Sequence, residues 1–200
     1  TSQLWHTPLF DWDAMAVDGY EWWIARVARG LAQCDALRLD HFIGFSRFWA
    51  VPADAEFALE GRWVSGPGRP LFDALEGALG ALPLIAEDLG SVDEATEALR
   101  DALGLPGMRV IQFGLDGAAS ALHHPSQYPE RCIAYASTHD SPTARGYWES
   151  LTPERQERVS LGSDGEVACH AMVDAVLASA ASWAVIALQD ILALDDAARI

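Results

Sequence analysis

The stretch "ALRLDHFIGFSRFW", residues 36–49, decides how this chain is read. Its first half has the apolar spacing of a short strand, with Ala36, Leu37, Leu39 and Phe42 available for packing. Side chains alternate along a strand, so Arg38 and Asp40 share one face while Leu37, Leu39 and His41 share the other. A guanidinium and a carboxylate side by side serve no core. They point to a site at the C-terminal end of the strand.

The same pattern recurs downstream. "LPLIAEDLG" (82–90) reads as a second strand and ends in Glu87 and Asp88. "GMRVIQFG" (107–114) reads as a third, and "RCIAYASTHD" (131–140) as a fourth that ends in His139 and Asp140. "WAVIALQD" (183–190) reads as the last. Residues 1–13 read as a loop, followed by a helix from Asp18 as N-cap to Leu31. "EGRWVSGPGRP" (60–70) reads as a Gly/Pro-rich loop before a short helix over 71–79. Ser91 and Glu94 have the spacing of a capping box for a helix running to about Leu103. Residues 115–130 read mostly as loop, and Thr152 and Pro153 as the start of a short helix. An Ala-rich helix spans about 166–180. Short apolar strands alternating with helices predict an α/β fold of parallel β/α units.

Composition narrows the function classes. Half of the 200 residues are apolar, enough for a sizeable core, and the formal charge is −16. That charge argues against nucleic acid and against anionic membrane surfaces, and suits a neutral substrate. Eight tryptophans favour sugar stacking, although Trp22, Trp23 and Trp183 read as core. Cys34, Cys132 and Cys169 lack metal-site spacing and read as buried thiols. No GxGxxG loop is present, which counts against a dinucleotide fold. "HH" at 123–124 reads as an exposed loop pair, and Ser137 stands too near His139 and Asp140 in sequence to form a triad.

Three strands that end in acids resemble the C-terminal face of an α/β barrel, where different strands each contribute a site residue. Converging carboxylates with an arginine and a histidine suit glycoside cleavage. One carboxylate attacks the anomeric carbon, and a second, protonated, releases the leaving oxygen. Neighbouring carboxylates raise the pKa of the acid, and Arg38 keeps Asp40 ionised. No metal and no cofactor is called for.

Six segments carry a family resemblance: "SQLWHTPLFDW" (2–12), "RLDHFIGFSRFWAVPA" (38–53), "LPLIAEDLG", "GMRVIQFG", "STHDSPTARGYW" (137–148) and "LQDILALDDAARI" (188–200). In order and spacing they resemble the 4-α-glucanotransferases, or amylomaltases, of glycoside hydrolase family 77. The resemblance implies a (β/α)8 barrel and a retaining mechanism. It implies Asp40 as nucleophile, Glu87 as general acid/base and Asp140 as the third carboxylate. It implies substrate binding by Arg38, His139, Gln3, Trp5, His41 and Phe113. The substrates implied are α-1,4-glucans, and the compartment is the cytoplasm, or the plastid in a plant or alga. An α-amylase-like hydrolase and an inactive glucan-binding fragment are the alternatives. "WHTP" departs from the family's Trp-Gly-Asn-Pro, Ile43 replaces a common arginine, and "THDSPT" replaces "THDNDT".

The five predicted strands correspond to roughly the fourth to eighth of the barrel. Residues 1–200 are therefore expected to form a partial catalytic barrel domain, truncated at both ends. Open parallel edges and an uncovered core face follow from that truncation. These 200 residues alone are expected to show near-zero disproportionation against robust activity of the full-length chain, and full activity in the isolated piece would sink this reading.

Overall fold

The computed structural model describes residues 7–115 and 122–199. The chain divides into two compact units, Thr1–Leu105 and Pro106–Ile200.

The first unit opens with α1 (Trp12–Val17), whose first two residues fall in the stretch read as loop. Its cap is Asp11, which accepts from the Ala14 N–H at 2.9 Å. Asp18 terminates α1 and also accepts the Glu21 N–H at 3.3 Å, so α2 (Glu21–Leu31) begins two residues later than an Asp18 N-cap implies. Next come β1 (Leu37–Leu39), α3 (Ile43–Ser46) and β2 (Arg47–Ala50). β3 (Arg62–Ser65), α4 (Arg69–Leu79), β4 (Leu84–Ala86) and α5 (Glu94–Ala102) complete the unit. β1 and β4 pair in parallel with Leu37 opposite Leu84 and Leu39 opposite Ala86.

β2 and β3 form an antiparallel hairpin, and β3 falls in the stretch read as loop. Trp49 lies opposite Trp63 with ring centroids 5.3 Å apart, and the Arg47 guanidinium sits 4.1 Å from the Trp63 ring. Gly61 is required there, because a Cβ on it collides with the Trp49 indole. The N-cap of α5 is Asp93, not Ser91: its carboxylate accepts from the Thr96 N–H at 3.0 Å and pairs with Arg47 at 2.8 Å.

The core of this unit gathers Trp23, Val27, Phe42, Phe45, Leu71, Phe72 and Leu75. Amphipathic α2 supplies Trp23 and Val27, four residues apart on one face. Trp22 points outward at 45% exposure with Arg26 over its ring, and Cys34 is likewise exposed, so neither belongs to the core.

The second unit contains β5 (Gly107–Val110), β6 (Cys132–Tyr135), α6 (Ala144–Ser150), α7 (Pro153–Val159), α8 (Gly165–Leu177), β7 (Trp183–Val185) and α9 (Leu188–Ile191). Its sheet is parallel in the order β5-β6-β7. Thr152 and Pro153 start α7 as expected, and Asp164 caps α8 by accepting from the Glu166 and Val167 N–H groups. Cys132, Cys169, Met172 and Val176 are buried among Ala134, Ala144 and Trp148. The last strand is shorter than its apolar run, because the chain turns into α9 at Leu188. Trp183 is 55% exposed on β7, which pairs with β6 along one edge, so it is not core. Among the described residues, no helix is long and apolar enough to cross a membrane.

Phe72 contacts both Phe42 and Phe45, at centroid distances of 6.0 and 5.6 Å, and is 1% exposed. Phe72→Ala is expected to lower unfolding free energy by about 3–5 kcal/mol in chemical denaturation, through lost burial and a cavity. Leu59→Ala, at an 80% exposed position, is expected to cost less than about 0.5 kcal/mol in the same measurement.

Candidate active site

The ladder between β1 and β4 continues past both strands. The Glu87 N–H donates to the Leu39 carbonyl and the Phe42 N–H donates to the Glu87 carbonyl, each at 3.0 Å. Asp40 and Glu87, the first residue after each strand, therefore face the same end of the sheet. Asp40 is exposed, and its Oδ1 lies 2.8 Å from Arg38 Nη2. This is the same-face pairing that strand alternation requires of positions 38 and 40.

Glu87 is half-buried and held at both carboxylate oxygens. The His41 N–H donates to Oε2 at 2.7 Å and the Leu89 N–H donates to Oε1 at 3.1 Å. His41 reaches this position with φ at 48°, in the left-handed region that a non-glycine residue occupies at a cost of about 1–3 kcal/mol. Its backbone thus serves Glu87 while its imidazole lies exposed. Burial pushes the Glu87 carboxyl above its ordinary range. The two N–H donors oppose that shift, the Asp40 charge adds to it, and Arg38 opposes it.

Asp88, the next acid, has a different fate. It is buried and its carboxylate meets Arg100 of α5 at 2.5 Å, which ties that helix to the end of β4.

In the second unit, His139 and Asp140 stand on the loop between β6 and α6, with side chains 64% and 78% exposed. His139 Nε2 lies 3.1 Å from Asp140 Oδ2. Phe113 ends the single 3-10 turn after β5 (Ile111–Phe113) and is 43% exposed. Its ring stands edge-on to His123 at 5.5 Å. His123 is half-buried and accepts the Val110 N–H on Nδ1 at 3.2 Å, so the expectation of a fully exposed pair holds for His124 alone.

The structure thus gathers Arg38, Asp40, His41 and Glu87 in one unit, and His139 and Asp140 on one loop of the other. Gln3 and Trp5 lie outside the described residues. Sequence reading missed the groups that hold this second loop, Gln112 and Asp190. Each is a polar residue inside an apolar run, "VIQFG" and "ALQDIL", and that was the available signal. Among the described residues, no group of three or more His, Cys, Asp or Glu side chains could hold a metal ion.

Parallel β/α units with acids at the C-terminal ends of their strands define an α/β-barrel type of site. The family model described as 4-alpha-glucanotransferase, glycoside hydrolase family 77, matches residues 1–200. The chain belongs to this family. It is 41% identical over 203 residues to the chloroplastic/amyloplastic 4-alpha-glucanotransferase of Arabidopsis thaliana, covering all of this chain and 35% of that protein. It is 39% identical over 203 residues to the 4-alpha-glucanotransferase of Streptococcus pneumoniae, covering all of this chain and 40% of that one. Its fold matches the amylomaltase from Streptococcus agalactiae in complex with acarbose, with a TM-score of 0.91 and 34% identity over 98% of this chain and 41% of that one. The chain therefore spans well under half the length of these relatives.

The raised Glu87 carboxyl has a stability consequence. Folded Glu87 holds its proton more tightly than unfolded Glu87, whose ordinary value is 4.5. Its contribution to stability is full below that value and is lost as pH rises through the folded pKa. Glu87→Gln should remove this pH-dependent contribution, so the difference in denaturation midpoint between variant and wild type should change across that window. A difference that stays constant with pH would contradict the assignment.

Proposed function

We propose that the full-length protein transfers α-1,4-glucan segments from a donor maltodextrin to the 4-OH of an acceptor glucan or glucose. The five parallel strands are taken as the fourth to eighth strands of an eight-stranded barrel, and residues 1–200 as part of its catalytic domain. In the first step the Asp40 carboxylate attacks the anomeric carbon, and Glu87 gives its proton to the departing glycosidic oxygen. In the second, Glu87 as carboxylate takes the proton of the acceptor 4-OH, whose oxygen attacks the anomeric carbon and releases Asp40. Two inversions give net retention.

Arg38 pairs with Asp40 and aims it, and Asp140 with His139 grips sugar hydroxyls in the cleavage subsite. Gln3, Trp5 and Phe113 line the groove, and His41 contributes through its backbone. The compartment taken with this reading is the cytoplasm, or the plastid in a plant or alga, as in the name of the Arabidopsis relative.

The observation that carries the reading is the pairing of an arginine-bound carboxylate, Asp40, with a half-buried carboxyl, Glu87, at the end of one parallel ladder. A carboxylate paired with an arginine beside a carboxyl whose pKa burial raises suits the nucleophile and acid of a retaining enzyme. Family membership supports transfer over hydrolysis.

Incubated with maltotriose, the full-length protein is expected to yield glucose together with oligomers longer than the donor. Glucose and maltose alone would make it a hydrolase. Asp40→Asn is expected to cut transfer by about a thousandfold or more, as loss of a covalent catalyst does. Retention of activity within about tenfold would overturn the nucleophile assignment.

A further inference from the structure

The loop of residues 136–143 is tied down by side chains that take no part in the proposed chemistry. Gln112, 4% exposed, donates from one amide nitrogen to the Ala136 carbonyl at 3.0 Å and to the Pro142 carbonyl at 2.9 Å. A single group thereby joins the outgoing and returning stems of the loop. Asp190 on α9, fully buried, repeats the arrangement with a carboxylate. Its Oδ2 accepts from the Ser137 hydroxyl at 2.5 Å and its Oδ1 accepts from the Ala144 N–H at 2.7 Å. Asp196 accepts the Thr143 N–H at 2.8 Å, and Arg199 donates to the His139 carbonyl at 3.3 Å.

An apolar side chain could fill the place of Asp190 without the cost of burying a carboxylate. What the carboxylate alone supplies is two acceptors at a fixed separation, one for each stem. The tip has the opposite character. His139 and Asp140 are largely exposed, and apart from the Arg199 bond to the His139 carbonyl and the Ser141 bond to the Thr138 N–H within the loop, it is the stems that hold them.

We propose that Gln112 and Asp190 are positioning residues that clamp the two stems of the β6–α6 loop and so fix His139 and Asp140 at its tip. The proposal rests on reading Asp140 as the carboxylate that grips substrate. Displacement of that carboxylate by a fraction of an ångström weakens transition-state contacts more than ground-state ones, so the effect falls on kcat.

The test uses the full-length protein and maltotriose disproportionation. Ser137→Ala removes one donor to Asp190 with minimal loss of volume, and Gln112→Leu removes both bonds of the amide at similar volume. Each is expected to lower kcat by at least about tenfold with donor KM changed less than about threefold. A cooperative melt near the wild-type temperature accompanies this result, and loss of packing alone would not produce the split. Ser137→Thr, which keeps the hydroxyl, is expected to restore most of kcat. Losses below tenfold in both variants, with Asp140→Asn inactive in the same assay, overturn the clamp alone. An active Asp140→Asn overturns the reading of Asp140 and the clamp with it.

Discussion

The parallel ladder of Leu37–Leu39 against Leu84–Ala86 is the constraint on which the first unit's site depends. Its hydrogen bonds run on into Glu87 and Phe42, so the residues that follow each strand are held as firmly as the strands. Because the pair is parallel, both C-terminal ends reach the same edge, and the acids after them meet. A slip of one residue would turn Arg38 and Asp40 to the opposite face and carry Leu37 and Leu39 out of the core. Burial of Leu39, Leu84 and Ala86 opposes that slip, which makes the hydrophobic core the guarantor of the register. Phe42 and Phe45, packed on Phe72, then pin the turn in which His41 adopts its left-handed backbone.

The two units hold the acids at their strand ends by different means. In the first, backbone N–H groups of His41 and Leu89 grip Glu87, and a neighbouring arginine grips Asp40. In the second, buried side chains reach from outside the loop and grip its stems. The difference follows from loop length. The turn after β1 is short enough for the ladder to fix it, whereas the loop from Ala136 to Thr143 extends beyond any ladder and needs partners of its own.

What was legible in the sequence follows from what local pattern can carry. Short apolar runs located β1, β4, β5 and β6, because half-buried and buried strands leave a short-range apolar signature, and period-two alternation put Arg38 and Asp40 on one face. The β2–β3 hairpin escaped, since the Gly and Pro residues around "RWVS" signal a loop and its strands bury little: Trp49 and Trp63 are stabilised by each other and by Arg47. The cap of α5 was misplaced because Ser91 and Asp93 are both capping residue types, and only three-dimensional contact with Thr96 and Arg47 selects Asp93. The strand reading of 183–190 overran because its apolar run passes without a break into α9. The role of Asp190 was hidden because its partners, Ser137 and Ala144, are 53 and 46 residues away in sequence.

The adjacent acids Glu87 and Asp88 show how one dipeptide divides into chemistry and structure. Asp88 is neutralised by Arg100, and the influences on Glu87 are burial, two N–H donors, Asp40 and Arg38. Of these, the Asp40 charge alone changes during the proposed reaction. While Asp40 is a free carboxylate it raises the Glu87 pKa and favours the protonated acid needed for bond cleavage. Once Asp40 is esterified to the glycosyl group its charge is gone, the Glu87 pKa falls, and the same side chain becomes the base that the acceptor hydroxyl requires. In the proposed reaction, the ladder that sets these two carboxyls side by side thereby links the charge of Asp40 to the proton affinity of Glu87.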